Sequence, residues 1–317
     1  MTRLFDSIAV VGAGAVGGFF GAMLARAGHR VTLIGRAAHV QAMQRDGLRL
    51  DRAGQTEAVR VEASTELAAL RGADLVLFCV KSTDTDAVAQ QMAPHLDPNA
   101  VVLSLQNGVE NAPTIARRVQ QAVVPAVVYV ATAMPEPGLV KHFGRGDLVI
   151  GPLNQPPVAA PDEALAATLQ ALVDLFASAE VPVRVSQDVM AELWSKLMVN
   201  CAYNAISGLA QQPYGNLAAL APIRELQQAV VREVVALAAA EGVALPLAAS
   251  LEAMERIAVA MPAQHSSTAQ DMARRKPSEI DHLNGFVARR GTELGVPAPV
   301  NQALYALVKL VEAGYGH

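Results

Sequence analysis

Cysteine, aromatic rings and charge are all scarce in this 317-residue chain. The two cysteines, Cys79 and Cys201, lie in apolar segments and offer no disulfide framework, as expected for a reducing compartment. Aromatic residues make up 4% of the chain and the formal net charge is −4, which excludes a nucleic-acid surface of basic patches and stacking rings. The seven histidines are scattered, without a second His or Cys at ligand spacing, so no metal is expected. Long apolar runs are missing too. The longest, such as Ala122 to Met134, are too short to span a bilayer and are broken by Pro125. The charged start leads at once into an expected strand, which does not fit a signal peptide. These absences predict a soluble cytoplasmic protein, long enough for two domains and a large core.

What is present begins with glycine. Ser7 to Val11 is a short apolar run, followed by Gly12-Ala13-Gly14-Ala15-Val16-Gly17. A helical pattern then runs to Ala27 with Gly28 as its stop, and Val31 to Ile34 reads as a second strand. Strand, G-x-G-x-x-G, helix and strand in this order form the dinucleotide-binding fingerprint. Gly12 permits the tight turn, Gly14 lets backbone approach a pyrophosphate, and Gly17 lets helix and strand pack closely. The helix N-terminus offers N–H groups and positive partial charge to the phosphates. Sites that prefer NAD carry an acid at the end of the second strand, to bind the ribose hydroxyls. Here that place reads Ile34-Gly35-Arg36, with no acid. Arg36 offers a planar fork suited to a 2′-phosphate, so NADP(H) is expected over NAD(H).

The βα alternation continues. A helix is expected from Ala37 to Arg45, then a hairpin turning at Arg52-Ala53-Gly54-Gln55, with arms Leu48 to Leu50 and Ala58 to Val61. Two further apolar strands, Leu75 to Val80 and Ala100 to Leu105, end in Lys81-Ser82 and Gln106-Asn107-Gly108. Ligands of open parallel sheets sit beyond the carboxyl ends of the strands, so Lys81 and Asn107 are expected at the nicotinamide half of the cofactor. An antiparallel tail follows: Val127 to Ala133, Leu139 to His142 and Leu148 to Ile150, with turns at Pro135 to Gly138 and Gly144 to Gly146. A proline-rich loop from Pro152 to Pro161, a helix to about Ser178 and a strand at Val183 to Val185 close the first domain. Beyond it only helical patterns remain: one starting near Gln187, then Ile223 to Ala240, Leu247 to Ala260, Pro277 to Gly291 and Ala298 to Ala313. The fold class is therefore an α/β Rossmann-type dinucleotide-binding domain over residues 1–187, followed by an all-α domain over 188–317. The long, alanine-rich helical half leaves two states open, a homodimer through it and a monomer.

Within the first of these helices, read to a stop at Gly208, Lys196, Asn200 and Asn204 recur every four residues, and Ser207 follows. At about 100° per residue they share an arc of roughly 80°, one polar stripe on an apolar rod. A lysine and two asparagines are costly to bury without partners, so the stripe points to a lined cleft rather than a solvent face. A domain boundary near residue 187 puts it where such clefts form. Further on, His265 to Met272 precedes Lys276-Pro277-Ser278-Glu279, where Pro277 suits a first helical turn and Glu279 the dipole there.

Five stretches together resemble the ketopantoate reductases (2-dehydropantoate 2-reductases): Gly-Ala-Gly-Ala-Val-Gly at 12–17, Cys-Val-Lys at 79–81, Gln-Asn-Gly at 106–108, Lys-x-x-x-Asn-Cys-x-x-Asn at 196–204, and Ser-Glu-Ile-Asp-x-Leu-Asn-Gly-Phe at 278–286. The resemblance runs almost end to end. It implies NADPH-dependent reduction of the 2-keto group of ketopantoate to (R)-pantoate, a step towards pantothenate and coenzyme A. It further implies that Lys196 donates the proton, that Asn200, Asn204 and Ser267 bind substrate, and that Glu279 orients the substrate or the lysine. Lys81 and Asn107 would contact the cofactor near the reacting carbon. The chain departs from the better-known members at Gln264, at Tyr214-Gly215 and at His282, all on the substrate side. Two alternatives stand beside this reading: a related NADPH-dependent reductase of another 2-oxo acid, and a non-catalytic NADP(H)-binding sensor, which would have no need of Lys196.

Overall fold

A computed structural model describes residues 5–153 and 163–315, so most of the expected proline-rich loop lies outside the described residues. The chain divides into two compact units, Met1–Met190 and Ala191–His317.

The first unit is built on a ten-stranded sheet. Its strands are β1 (Ser7–Val11), β2 (Arg30–Ile34), β3 (Leu48–Arg52), β4 (Gln55–Val59), β5 (Glu62–Ser64), β6 (Leu75–Phe78), β7 (Val101–Ser104), β8 (Ala122–Glu136), β9 (Leu139–Ile150) and β10 (Val183–Val185). They are ordered β4-β3-β9-β8-β7-β6-β1-β2-β5, with β10 beside β9. From β7 to β5 every pairing is parallel. The helices are α1 (Ala15–Arg26), α2 (Ala37–Asp46), α3 (Thr85–Met92), α4 (Asn111–Ala116) and α5 (Glu163–Ser178). Successive side chains of a strand point to opposite faces, and both faces are covered here. Ile8, Val10, Leu75 and Leu77 enter one apolar cluster, while Ala9, Val11, Val76 and Phe78 enter another. This is why the central strands read as unbroken apolar runs in the sequence.

Three details of the sheet depart from expectation. The three-residue β5 pairs in parallel with β2, where Thr32 Oγ1 donates to Glu62 at 3.0 Å. Its composition, Glu-Ala-Ser, carries no strand signal. The expected tail of three short strands is one long hairpin, β8 and β9, of 15 and 12 residues. The segment Gly144 to Gly146 is no turn: φ is +148° at Gly144, +54° at Arg145 and +146° at Gly146. Those angles absorb two slips of register against β8 as β-bulges, so pairing continues beyond them. The β3–β4 hairpin does turn at Ala53 and Gly54, both with positive φ, the geometry that matches strand twist in a two-residue loop.

The helix α6 (Val189–Ala210) carries the chain into the second unit. There follow α7 (Tyr214–Ala219), α8 (Ala221–Ala240), α9 (Leu247–Ala260), α10 (Ser267–Ala273), α11 (Asn284–Leu294) and α12 (Pro299–Ala313), with no strand among the described residues. Gly208 does not end α6. It is an internal contact: a Cβ there would lie 2.7 Å from Met272 Sδ and 2.9 Å from Thr268 Cγ2, so glycine lets α10 close onto α6. The helix expected from Pro277 to Gly291 is broken. Ser278 donates from its N–H and Oγ to Glu312 Oε1 at 2.8 and 2.6 Å, a short 3-10 turn spans Ile280–His282, and α11 starts only at Asn284. The core is aliphatic, from Val230, Val231, Val234 and Leu237, with ring contacts Trp194–Phe286 and Tyr203–Tyr214. No helix among the described residues is long and apolar enough to cross a membrane.

Candidate functional site

In the first unit the sheet itself assembles the group. The neighbouring strands β7, β6, β1 and β2 run parallel, so their carboxyl ends lie along one edge. In that order they are followed by Asn107, Lys81, the glycine loop and Arg36. The chain leaves β1 towards β2 on one side and returns to β6 on the other, a topological switch point of the kind that opens a ligand crevice. Gly12 (φ +106°) sits there: a Cβ on it would lie 2.6 Å from the Cys79 carbonyl carbon, so only glycine fits. Gly17 packs as tightly, its notional Cβ 2.9 Å from Val10 Cγ1. Ala13 is buried, with its N–H on Ile34 O at 3.1 Å, and Gly35 would otherwise collide with it. Gly14 differs from these: it is exposed, and a Cβ would meet nothing within 4 Å. It caps α1 without a side-chain hydrogen bond, and the first turn of α1, with half-buried Ala15 and Val16, carries no acid. The first N–H groups of a helix have no intrahelical acceptor, so this end suits an anion. Arg36 is exposed at the start of α2 and makes no ion pair among the described residues.

Sequence reasoning missed what holds the Lys81 and Asn107 loops together. Gln106 is buried; its amide donates to Val80 O at 2.9 Å and to Thr85 Oγ1 at 2.7 Å. Thr85 Oγ1 donates in turn to Asn111 Oδ1 at 2.8 Å. Asn111 Nδ2 donates to Ser82 Oγ at 3.1 Å and to Asn107 O. A buried polar cluster satisfied in this way is rigid, and here it links the chain just past β6 to the chain just past β7. A Gln in a loop and a Thr and an Asn at two helix starts have no shared periodicity from which to foresee it.

In the second unit the polar stripe of α6 grades from accessible to closed. Lys196 and Asn200 are half-buried, Asn204 is 2% exposed and Ser207 is 0% exposed. Ser207 Oγ donates to Gln212 O at 2.8 Å and accepts from Ser266 N–H at 3.3 Å. Ser266 caps α10 by accepting from Ala269 N–H at 3.0 Å, and its hydroxyl reaches Asn204 O at 3.3 Å. The structure thus joins the stripe to the segment that carries exposed Ser267, although the bonds run through Ser266. The side-chain amides of Asn200 and Asn204 make no hydrogen bond among the described residues. Glu279 is half-buried at the start of the 3-10 turn rather than in a helical first turn. Asn284, inside the same sequence motif, has a different role: its amide bridges Cys201 O and Asn301 Oδ1, and Asn301 binds Glu233. Burial pushes the Cys79 and Cys201 thiols well up, away from the thiolate form. No cluster of His, Cys, Asp and Glu able to hold a metal occurs among the described residues.

Comparison with known proteins covers both units. Residues 8–155 match the family described as ketopantoate reductase PanE/ApbA, and residues 188–312 match its C-terminal region. The 2-dehydropantoate 2-reductase of Vibrio cholerae is 32% identical over 310 residues, covering 98% of this chain and 99% of its own. The crystal structure of a PanE/ApbA family ketopantoate reductase from Ralstonia eutropha is 51% identical, with a TM-score of 0.88 over 98% of this chain and 100% of that one. D-mandelate dehydrogenase in complex with NADH and anilino(oxo)acetate, 24% identical, has a TM-score of 0.89 over 98% and 99% of the two chains, which demonstrates a shared fold.

Proposed function

The chain belongs to the ketopantoate reductase family, and on that premise we propose that it reduces 2-dehydropantoate to (R)-pantoate with NADPH. The observation that carries the reading is the face of α6, where Lys196 is followed by two amides that bond to no other side chain or main chain among the described residues. The first unit suits the dinucleotide: the glycine loop has a bare, exposed helix end, and a Cβ at Gly12 would fill the turn. Gly12, Ala13, Gly14, Ala15, Val16 and Gly17 would hold the pyrophosphate, and Arg36 the 2′-phosphate. Lys81 and Asn107 would position the nicotinamide end. When bound, that ring supplies a hydride to the keto carbon.

The chain's own residues do the rest. As the carbonyl electron pair moves onto oxygen, the Lys196 ammonium stabilises the growing charge and gives that oxygen its proton, becoming a neutral amine. Asn200, Asn204 and Ser267 hydrogen-bond the substrate's hydroxyl and carboxylate, which fixes the keto carbon without adding charge. Glu279 orients the substrate. The first unit is thereby the NADP-binding domain and the second the substrate-binding and catalytic one. A cytoplasmic homodimer, joined through the helical unit, completes the reading. It is supported by the exposed Leu307, Leu310 and Val311 on one face of α12, and sedimentation of the purified protein tests it.

The test of function is NADPH oxidation, followed by absorbance, with 2-dehydropantoate and a panel of other 2-oxo acids. The highest kcat/KM on 2-dehydropantoate is the expected result. A higher value on another acid overturns the substrate and leaves the reaction type. That second reading has its own support, because Gln264 and Tyr214, two of the departures from the family pattern, are paired through their main chains at 2.9 Å next to Ser266. Tight NADPH binding without turnover on any acid would make the protein a sensor instead.

A further inference from the structure

Half of the motif Ser278-Glu279-Ile280-Asp281-His282-Leu283-Asn284-Gly285 docks onto α12. At its start, Ser278 donates twice to Glu312 Oε1, at 2.8 and 2.6 Å, and its hydroxyl accepts from Ile280 N–H at 3.3 Å. Three residues on, Asp281 Oδ1 accepts from Tyr305 OH at 2.7 Å, and Oδ2 accepts from Lys309 Nζ at 2.9 Å. Lys309 closes the circuit by pairing with Glu312 Oε2 at 3.3 Å. Tyr305 reaches Asp281 because Gly285 has no side chain: a Cβ there would lie 2.8 Å from the tyrosine ring. The two ends of a four-residue segment are thus tied to successive turns of one helix, and Glu279 stands between them. Its backbone is set at φ −92°, ψ +24°, with its carbonyl accepting from His282 N–H at 2.9 Å.

A carboxylate that orients a substrate must be held to a fraction of an ångström, and a 3-10 turn of three residues cannot supply that by itself. We propose that Asp281, Tyr305, Lys309 and Glu312 form a brace that positions Glu279 for the 2-oxo acid. This rests on the assignment of Glu279 to the substrate site. The brace residues touch neither substrate nor cofactor; they act through the backbone of the segment. It also explains why this stretch is not the continuous helix its sequence suggests. A regular helix started at Pro277 would send Asp281 from the backbone at a different angle, away from Tyr305 and Lys309.

Steady-state kinetics on the full chain tests the brace, using Asp281→Asn, Glu279→Gln and the double variant with NADPH and 2-dehydropantoate. Asp281→Asn should raise KM for the oxo acid about tenfold or more, with a smaller change in kcat and unchanged NADPH affinity. In the Glu279→Gln background the same change should add nothing, because its route of action is gone. Wild-type KM in Asp281→Asn, or effects that multiply in the double variant, overturns the proposal. Should Asp281→Asn fail to fold, Tyr305→Phe and Lys309→Met take its place, each expected to raise KM, while Lys309→Arg restores it. Loss in Lys309→Arg equal to that in Lys309→Met overturns the proposal as well. A Glu279→Gln variant with normal KM removes both the brace and the assignment of Glu279. A raised KM there, with Asp281→Asn silent, removes the brace alone.

Discussion

The two units present polar groups by different means. In the first, Gly12, Lys81 and Asn107 come from three strand ends, made neighbours by the parallel register of β1, β6 and β7. Their loops are then held by buried side chains, with Gln106, Thr85 and Asn111 at the centre. In the second, Lys196, Asn200 and Asn204 share one helix, and its pitch aligns them without help. Packing there decides depth instead, from half-buried Lys196 to the enclosed Ser207. The lesson concerns where each arrangement is fragile. A site on loops is lost through its buried supports and its glycines, a site on a helix face through the displayed groups themselves.

Substitutions can break this contrast. The largest effect is expected at Lys196: Lys196→Ala should lower kcat by about 10²- to 10⁴-fold, with NADPH affinity, measured by fluorescence, unaltered. Near-normal turnover would overturn the proposal that Lys196 is the proton donor. In the first unit the sharper contrast is between two glycines of one loop. Gly12→Ala meets backbone at 2.6 Å with φ at +106° and should destabilise the protein by about 3 kcal/mol or more in thermal unfolding. Gly14→Ala, with open space around it and φ of −88°, should leave Tm unchanged and weaken only NADPH. Equal Tm losses at both would mean that the loop is a packing device and not a phosphate cradle.

Smaller changes refine the comparison. Asn301→Ala removes partners of Asn284 and Glu233 from the buried chain behind α11 and α12 and should destabilise by about 2 kcal/mol in denaturant unfolding. Arg36→Ala should reduce the preference for NADPH over NADH about tenfold without affecting stability; an unchanged preference would return the site to either cofactor. The mildest effect concerns acid. Burial pushes the Asp281 carboxyl up, but hydrogen bonds from Lys309 and Tyr305 outweigh it and hold the group below the usual carboxylate range. A carboxyl depressed in the folded state contributes stability above its unfolded pKa of about 3.9 and loses it as pH falls through the folded value. Unfolding measured across that acid range should therefore show a small loss that Asp281→Asn abolishes.

Much of the first unit was legible before any coordinates. β1, β6 and β7 are buried on both faces and so read as apolar runs, and the glycine loop is spelled out in consecutive residues. The arc of Lys196, Asn200 and Asn204 was equally plain, because helical pitch converts spacing into direction. The three-residue β5 was not legible, since Glu62 to Ser64 owes its pairing to β2 alone. Gly144 and Gly146 resemble turn residues and serve as bulges, a choice made by β8 on the other side of the hairpin. α7 and α10 are too short for periodicity to register.

By itself, then, the sequence determined the features whose cause is local: which strands are buried, where a turn that only glycine fits follows the first strand, and which polar groups share a helix face. Tertiary structure decided what depends on a distant partner. Glu312 accepts the N–H of Ser278, 34 residues before it, and Asn111 ties two loops whose strands lie side by side only in the sheet. Backbone pattern and burial leave a periodic trace along the chain, whereas one hydrogen bond between remote side chains leaves none.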